Sequence, residues 1–176
     1  MTNASKYDLK KYQNLSRKTA IYPEDVGLAY ETLGLCSEVG ELLENCTAIP
    51  HKVDHAKLVG EFGGVLWYTA RLCDRLELSM HDVFECGLES APGMIFLSIY
   101  SGLFANKAKK VLRDHKSQMN EESKKAMQNL LINFVASYKG ALTKFNLTVD
   151  QVAEYNLDQL FSRQERGKLG GDGDDR

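Results

Sequence analysis

Apolar residues recur at three- and four-residue spacing along most of the chain, and this spacing limits its fold more than any other feature. It is typical of helices that bury one apolar face. No segment keeps the apolar and polar alternation of a strand. Only three prolines occur, Pro23, Pro50 and Pro92, and each falls where the helical pattern pauses. We therefore predict an all-α protein, a compact helical bundle in a single domain over residues 1–176.

The same pattern predicts where the helices begin and end. Ser79 and Thr148 stand where N-caps are expected, because their hydroxyls can accept hydrogen bonds from the first free backbone N–H groups. Residues 167–176 are rich in Gly and Asp, so we expect a flexible tail there. The predicted helices cover residues 4–20, 25–46, 54–77, a short segment after Ser79, 94–114, 120–145 and a last segment from Thr148 to about residue 163.

Composition excludes several classes of protein. The net charge is -2, which gives no basic field for non-specific nucleic-acid binding. No apolar run approaches the ~18 residues that a membrane span needs, and the first residues lack the apolar core of a signal peptide. The four cysteines form no Cys-x-x-Cys pair, which favours reduced thiols. We expect a cytoplasmic protein with no nucleic-acid or membrane partner, and a homo-oligomer is an open alternative to a monomer.

An internal repeat is a second feature of the sequence. The segment Leu78-Ser-Met-His-Asp-Val-Phe-Glu-Cys-Gly-Leu88 aligns with Leu147-Thr-Val-Asp-Gln-Val-Ala-Glu-Tyr-Asn-Leu157, and Leu, Val, Glu and Leu coincide. We predict an N-terminal repeat over residues 20–90 and a diverged C-terminal repeat over residues 91–166, packed as a pseudo-dimer. Chance similarity between two amphipathic helices is the alternative.

Acidic side chains interrupt the apolar pattern of the first repeat. Glu38 and Glu41 are three residues apart, so they share one face of a helix. Glu61 follows in the next predicted helix. Carboxylates beside apolar positions are costly unless something neutralises them, and Mg²⁺ would do so because it takes oxygen ligands. The alternative is a set of solvated acids on an exposed helix face.

These segments resemble a known family. Tyr30-Glu-Thr-Leu-Gly-Leu-Cys-Ser-Glu38-Val-Gly-Glu41 and Gly60-Glu61-Phe-Gly-Gly-Val-Leu-Trp-Tyr68 look like the metal-binding signatures of MazG-like, all-α nucleoside triphosphate pyrophosphohydrolases. The C-terminal stretch from Asn156 through Arg163 is similar to the family's ending, so the resemblance covers nearly the whole chain. It implies an enzyme that cleaves nucleoside triphosphates, including deoxynucleotides, to the monophosphate and pyrophosphate.

The resemblance also implies roles for particular residues. Glu38, Glu41 and Glu61 would hold Mg²⁺, with Mn²⁺ as a substitute, and would be the catalytic residues, one of them as general base. Asn156 and Arg163 would contact the nucleotide, and helix packing is the alternative for both.

Three departures from the family pattern bear on activity. Gly64 stands where the family has a fourth acidic ligand. Gly87 and Ser90 stand where it has an asparagine and a lysine after the short helix, and Gln159 stands where it has a lysine in the last helix. The first departure would weaken hydrolysis or abolish it. A catalytically disabled nucleotide-binding or regulatory protein is therefore the alternative function, and a purely structural interaction protein is a third.

The second repeat carries a cluster of cations in place of the acids. Lys109, Lys110 and Arg113 lie close together in the predicted helix 94–114. Because Lys and Arg donate charge-assisted hydrogen bonds to anionic oxygens, we predict that they bind substrate phosphate. A solvated basic face near a helix C-terminus is the alternative.

Overall fold

The computed structural model describes residues 8–47, 54–86, 93–115 and 119–170, and the described part is helical without a strand. The predicted all-α fold is therefore confirmed. In these four ranges the elements are α1 Leu9–Arg17, a 3-10 turn Glu24–Val26, α2 Gly27–Thr47, α3 His55–Arg75, α4 Met80–Glu85, α5 Gly93–His115, α6 Glu121–Lys144 and α7 Val149–Glu165.

Side-chain caps fix the starts of five helices. Asp8 and Asp54 each accept two backbone N–H groups of the helix that follows, α1 and α3. Asn120 caps α6 in the same way with one bond. Ser79 caps α4, and Thr148 caps α7 through a reciprocal capping box, so both predicted caps are confirmed.

The helices pack in a chain of neighbours around one apolar core. α2 lies against α3 and α5, α5 lies against α6, and α7 lies against α3, while α1 packs on α3, α4 and α7. The core runs continuously through these contacts, and its largest fully buried aromatic side chains are Tyr12, Phe62, Phe104, Phe134 and Tyr138.

A buried arginine ties α1 to α3. Arg71 is 2% exposed, and its guanidinium donates to the backbone oxygen of Gln13 at 2.8 Å and to the hydroxyl of Ser16 at 3.0 Å. It also pairs with Asp74 at 3.0 Å. The indole N–H of Trp67 donates to the Ser16 carbonyl at 3.2 Å. The C-terminal turn of α1 is thus held by polar bonds, which buried donors require.

The turns that follow α3 and α6 share one conformation. Glu77 and Asn146 occupy equivalent places with φ of 57° and 54°. The N–H groups of Leu78 and Leu147 each bond to a carbonyl five residues earlier. The helices after these turns differ in length, with 6 residues in α4 and 17 in α7. The likeness covers the turns, and the pseudo-dimer of two repeats stays a prediction.

Two predicted features fall partly outside the described residues. The boundary between the repeats, at residues 90 and 91, lies outside them, as does the end of the predicted tail from residue 171. Within the described part, α7 ends before Gly167, whose φ of +66° suits glycine.

None of the helices described above combines the length and the apolarity required to cross a membrane.

Candidate functional site

A cavity of about 590 Å³ lies between α2, α3, α7 and the segment that joins α1 to α2. Its lining combines carboxylates, cations, amides and aromatic rings from parts of the chain far apart in sequence. The polar and charged lining residues are Glu38, Glu41, Asp54, Lys57, Glu61, Asn156, Gln159 and Arg163. The aromatic ones are Tyr22, Tyr30, Trp67, Tyr68 and Tyr155.

The three predicted glutamates line this one cavity. Glu38 is partly buried and Glu41 is exposed, both on α2. Glu61, on α3, is only 6% exposed, and it accepts a hydrogen bond from the amide of Asn45 at 3.3 Å. The ammonium of Lys57, one turn earlier, lies 3.7 Å from its other oxygen. Glu61 is therefore the most enclosed of the three and is held by two neighbours.

Glu38 reaches across to α3 at Gly64. A Cβ atom placed on Gly64 would overlap the Glu38 carboxylate. The absence of a side chain at position 64 therefore gives that carboxylate its place beside α3. In the family pattern an acidic side chain would start from this position.

The carboxylates of the cavity do not form a metal cage by themselves. In the ranges that the structure describes, no three His, Cys, Asp or Glu side chains group closely enough to hold one ion. The donors are nonetheless oxygen atoms, the type that Mg²⁺ and Mn²⁺ take. The lining holds four carboxylates against two cations, an excess of two negative charges, from Glu38, Glu41, Asp54 and Glu61 against Lys57 and Arg163. A divalent cation fits this wall when a ligand supplies further oxygens.

Aromatic side chains form a second wall of the cavity. Tyr22 and Tyr30 stack with their ring centres 4.5 Å apart, and Trp67 meets Tyr68 edge to face at 4.8 Å. Tyr30 remains 43% exposed. Burial raises the pKa of Tyr68, and its interaction with Tyr30 adds to the rise. We call these four residues the aromatic wall, and rings of this kind stack on planar ligands.

A buried ion pair supports the aromatic wall from behind. The hydroxyl of Tyr22 donates to Glu31 at 2.6 Å. Glu31 is 2% exposed and receives two bonds from the guanidinium of Arg75, at 2.6 and 2.9 Å. Arg75 also pairs with Glu24 at 2.9 Å. Burial, followed by the bond to Glu31, raises the pKa of Tyr22, so its hydroxyl stays protonated and its ring stays in place.

Helix α7 supplies the two predicted nucleotide contacts. Asn156 is 9% exposed and Arg163 is partly exposed, and both line the cavity. Gln159 lies between them on the same helix and is exposed. The structure thus brings the α7 residues to the same space as the three glutamates, while their roles stay predictions.

The predicted cation cluster on α5 lies elsewhere. Lys109, Lys110 and Arg113 are exposed, and none of them lines the cavity. Arg113 instead forms an ion pair with its neighbour Asp114. The reason is that α5 packs on α2 and α6 and contributes no residue to the lining. These cations therefore lie apart from the acids of the cavity, and their predicted binding of substrate phosphate stays a prediction.

Comparison with known proteins finds a phage protein that is similar to this chain. No family model and no solved structure matches the chain. In an alignment of 90 positions it is 32% identical to the Gene 37 protein of Mycobacterium phage L5, and the alignment covers 44% of this chain and 79% of the phage protein. The chain belongs to the family of that Gene 37 protein. The name of the relative states a gene and no activity.

Several lining residues of this family member are not evident from its sequence. Lys57 stands at the start of α3, where its position one turn before Glu61 was the only signal. Tyr22 lies between the first two predicted helices, and Asp54 is the first residue of the third, so neither was marked as a site residue by its spacing. Tyr30 lies within the first quoted motif, but its exposure and its stacking on Tyr22 depend on the fold.

Proposed function

We propose that this chain binds a nucleoside triphosphate together with a divalent cation and hydrolyses it to the monophosphate and pyrophosphate. One observation supports this proposal above the others. A single cavity collects Glu38, Glu41 and Glu61 with the α7 residues Asn156 and Arg163 beside the aromatic wall. The cavity volume of about 590 Å³ is in the range of small-molecule sites.

The charge of the cavity favours a ligand that brings its own cation. Four carboxylates and two cations would repel a bare triphosphate. Mg²⁺ is usually bound by one or two carboxylates together with substrate phosphates, so it needs no cage of three protein ligands. Glu38, Glu41 and Glu61 are the residues that would hold the ion. When bound, it would polarise the phosphates and lower the pKa of the attacking water.

The remaining lining groups suit the other parts of a nucleotide. Arg163 can donate charge-assisted bonds to phosphate oxygens. The aromatic wall can stack on the base, since every nucleobase has a planar face. One of the glutamates would take the proton of the attacking water. Glu61, already engaged by Lys57 and Asn45, is the least available for that role.

Nucleotide binding without turnover is the second candidate. It is favoured by Gly64, which supplies no carboxylate, and by the position of Glu38 over that glycine. The pair of Lys57 with Glu61 favours it as well, because the lysine already neutralises part of the acidic wall.

Pyrophosphate release is the test of both candidates. The chain is assayed with canonical and modified nucleoside and deoxynucleoside triphosphates, each with Mg²⁺ or Mn²⁺, and the melting temperature is recorded with the same ligands. Release is expected to fall at least ~100-fold in Glu38→Gln, as for the loss of a catalytic group. Glu44→Gln is the matched control, since Glu44 is an exposed glutamate of α2 that does not line the cavity.

The outcomes separate the candidates. Release that requires Glu38 and not Glu44 supports the hydrolase. A ligand-induced rise in melting temperature without release supports binding alone, because a ligand that binds only the folded state stabilises it. If the assays show neither pyrophosphate release nor a rise in melting temperature, the proposed function is overturned.

A further inference from the structure

A buried hydrogen bond joins α1 to α7 at the edge of the cavity. Tyr12 of α1 is fully buried, and its hydroxyl donates to the Oδ1 atom of Asn156 at 2.7 Å. Asn156 is itself nine-tenths buried and lines the cavity. The bond spans 144 positions of sequence, so it exists only because the two helices meet in the fold.

The other end of the Asn156 amide lies against α3 at Gly63. A Cβ atom added to Gly63 would come within 2.9 Å of the Asn156 Nδ2 atom and within 3.0 Å of its Cβ atom. Among the residues that the structure describes, the NH₂ group of Asn156 makes no hydrogen bond. It is therefore a donor held at the edge of the cavity, where water or a ligand can supply its acceptor.

The bond from Tyr12 decides what Asn156 can offer a ligand. A carboxamide has one acceptor oxygen and one NH₂ donor group. Since the oxygen already accepts from Tyr12, the donor group is the part left for the cavity. An acceptor atom of a bound ligand can therefore take the place of water at this donor.

We propose that Tyr12 is a positioning residue that fixes the Asn156 carboxamide, so that its NH₂ group donates to an acceptor oxygen of the bound ligand. The proposal rests on the proposed function for the identity of the ligand as a nucleotide. The acceptor is then an oxygen of the base, the sugar or a phosphate. Tyr12 acts through Asn156 and does not itself line the cavity.

A double-mutant cycle of nucleotide affinity tests the role of Tyr12. The four canonical deoxynucleoside triphosphates with Mg²⁺ are titrated into the wild type, Tyr12→Phe, Asn156→Ala and the double variant. Tyr12→Phe is expected to weaken binding about 3- to 10-fold, the range for one neutral hydrogen bond. In the Asn156→Ala background the same change is expected to have no further effect. An equal loss in both backgrounds would show a general structural role and overturn the proposal.

Tyr138→Phe is the matched control for this cycle. Tyr138 is also fully buried, and its hydroxyl donates to the carbonyl of Phe62 at 2.9 Å, next to Gly63 on α3. Its removal takes away a buried hydroxyl bond that does not involve Asn156. Nucleotide affinity is expected to stay within about 2-fold of the wild type in this variant. A loss as large as that of Tyr12→Phe would count against the specific role of Tyr12.

Fragments of the nucleotide show which part of it carries the acceptor oxygen. The affinities of the corresponding nucleosides and of inorganic pyrophosphate with Mg²⁺ are compared between the wild type and Asn156→Ala. A loss confined to the nucleoside places the acceptor on the base or sugar, and a loss confined to pyrophosphate places it on a phosphate. If Asn156→Ala weakens no probe that binds the wild type, the donor role is wrong.

The orientation of the Asn156 carboxamide can be measured in the protein without ligand. In ¹⁵N-edited nuclear Overhauser spectra of the full chain, the Asn156 NH₂ hydrogens are expected to show contacts to the α-hydrogens of Gly63, because Nδ2 lies beside that residue. Contacts to the Tyr12 ring in their place would show the opposite amide orientation and overturn the proposal. If no nucleotide binds the wild type, the proposed function fails while these contacts still decide the orientation.

Discussion

The Glu38 carboxylate of α2 lies over Gly64 of α3, in the space that any side chain at position 64 would need. The two helices meet reciprocally one turn away, where the ring of Tyr68 lies over Gly34. Each helix thus presents a glycine to a large side chain of the other. Close approach of this kind brings Glu38 from α2 beside α3, which carries Glu61, and so assembles the acidic wall.

This relationship predicts how Gly64→Asp behaves. The new carboxylate would lie beside that of Glu38, and the repulsion is expected to lower the free energy of unfolding by about 1 kcal/mol without metal. Mg²⁺ is expected to restore the loss, since it would be shared by the two acids. Thermal unfolding with and without Mg²⁺ measures both effects.

Gly64→Asn is the control for Gly64→Asp, because it has the same shape and no charge. The prediction requires that Mg²⁺ stabilise the Asp variant more than the Asn variant. Equal responses would mean that Glu38 and position 64 do not share an ion.

Gly63 and Gly60 of α3 form a matched pair for a packing test. At Gly63 a Cβ would press on the side chain of Asn156 at 2.9 to 3.0 Å, whereas at Gly60 the nearest atom, in the ring of Tyr155, is 3.9 Å away. Gly63→Ala is expected to destabilise the fold by about 1–3 kcal/mol through overpacking. Gly60→Ala is expected to stabilise it by roughly 0.5–1 kcal/mol, as alanine does within helices. Urea denaturation compares the two, and a stabilised Gly63→Ala would contradict the close contact of α3 with α7.

The helices were predictable because their signals are local. Three- and four-residue apolar spacing, together with the caps Ser79 and Thr148, predicted the helix ends to within a few residues. The acids at 38, 41 and 61 were predictable as a group because each stands out against apolar neighbours.

The rest of the site depends on which helices meet, and sequence spacing does not contain that information. Tyr22 joins Tyr30 only because Glu31 and Arg75 hold it. The separation of Lys109 from the cavity was not predictable for the same reason, since the charge pattern shows one face of α5 but not which helices α5 packs against.

The buried hydroxyl of Tyr138 is expected to make the fold less stable at alkaline pH. Burial raises the pKa of Tyr138 well above its ordinary value of 10.0. In the folded state the hydroxyl stays protonated, whereas in the unfolded state it ionises above about pH 10. The unfolded state then binds fewer protons, so the free energy of unfolding falls as pH rises, by up to ~1.4 kcal/mol per pH unit for this group.

Urea titrations across this pH range are expected to show a shallower fall in Tyr138→Phe than in the wild type. Tyr155→Phe, at an exposed tyrosine, is the control and is expected to keep the wild-type slope. An unchanged slope in Tyr138→Phe would mean that its hydroxyl ionises in the folded state.

The cations of α7 and α5 give opposite predictions for nucleotide affinity. Arg163 lines the cavity, so Arg163→Gln is expected to weaken binding of deoxynucleoside triphosphates with Mg²⁺ about 10-fold or more, as for a charged hydrogen bond. Lys109 and Lys110 are exposed and contribute nothing to the lining, so their joint replacement by Gln is expected to change affinity less than about 2-fold at physiological salt, where distant charges are screened. Isothermal titration of both variants measures this difference. A larger loss in the lysine variant would place the phosphate site on α5 and separate it from the cavity.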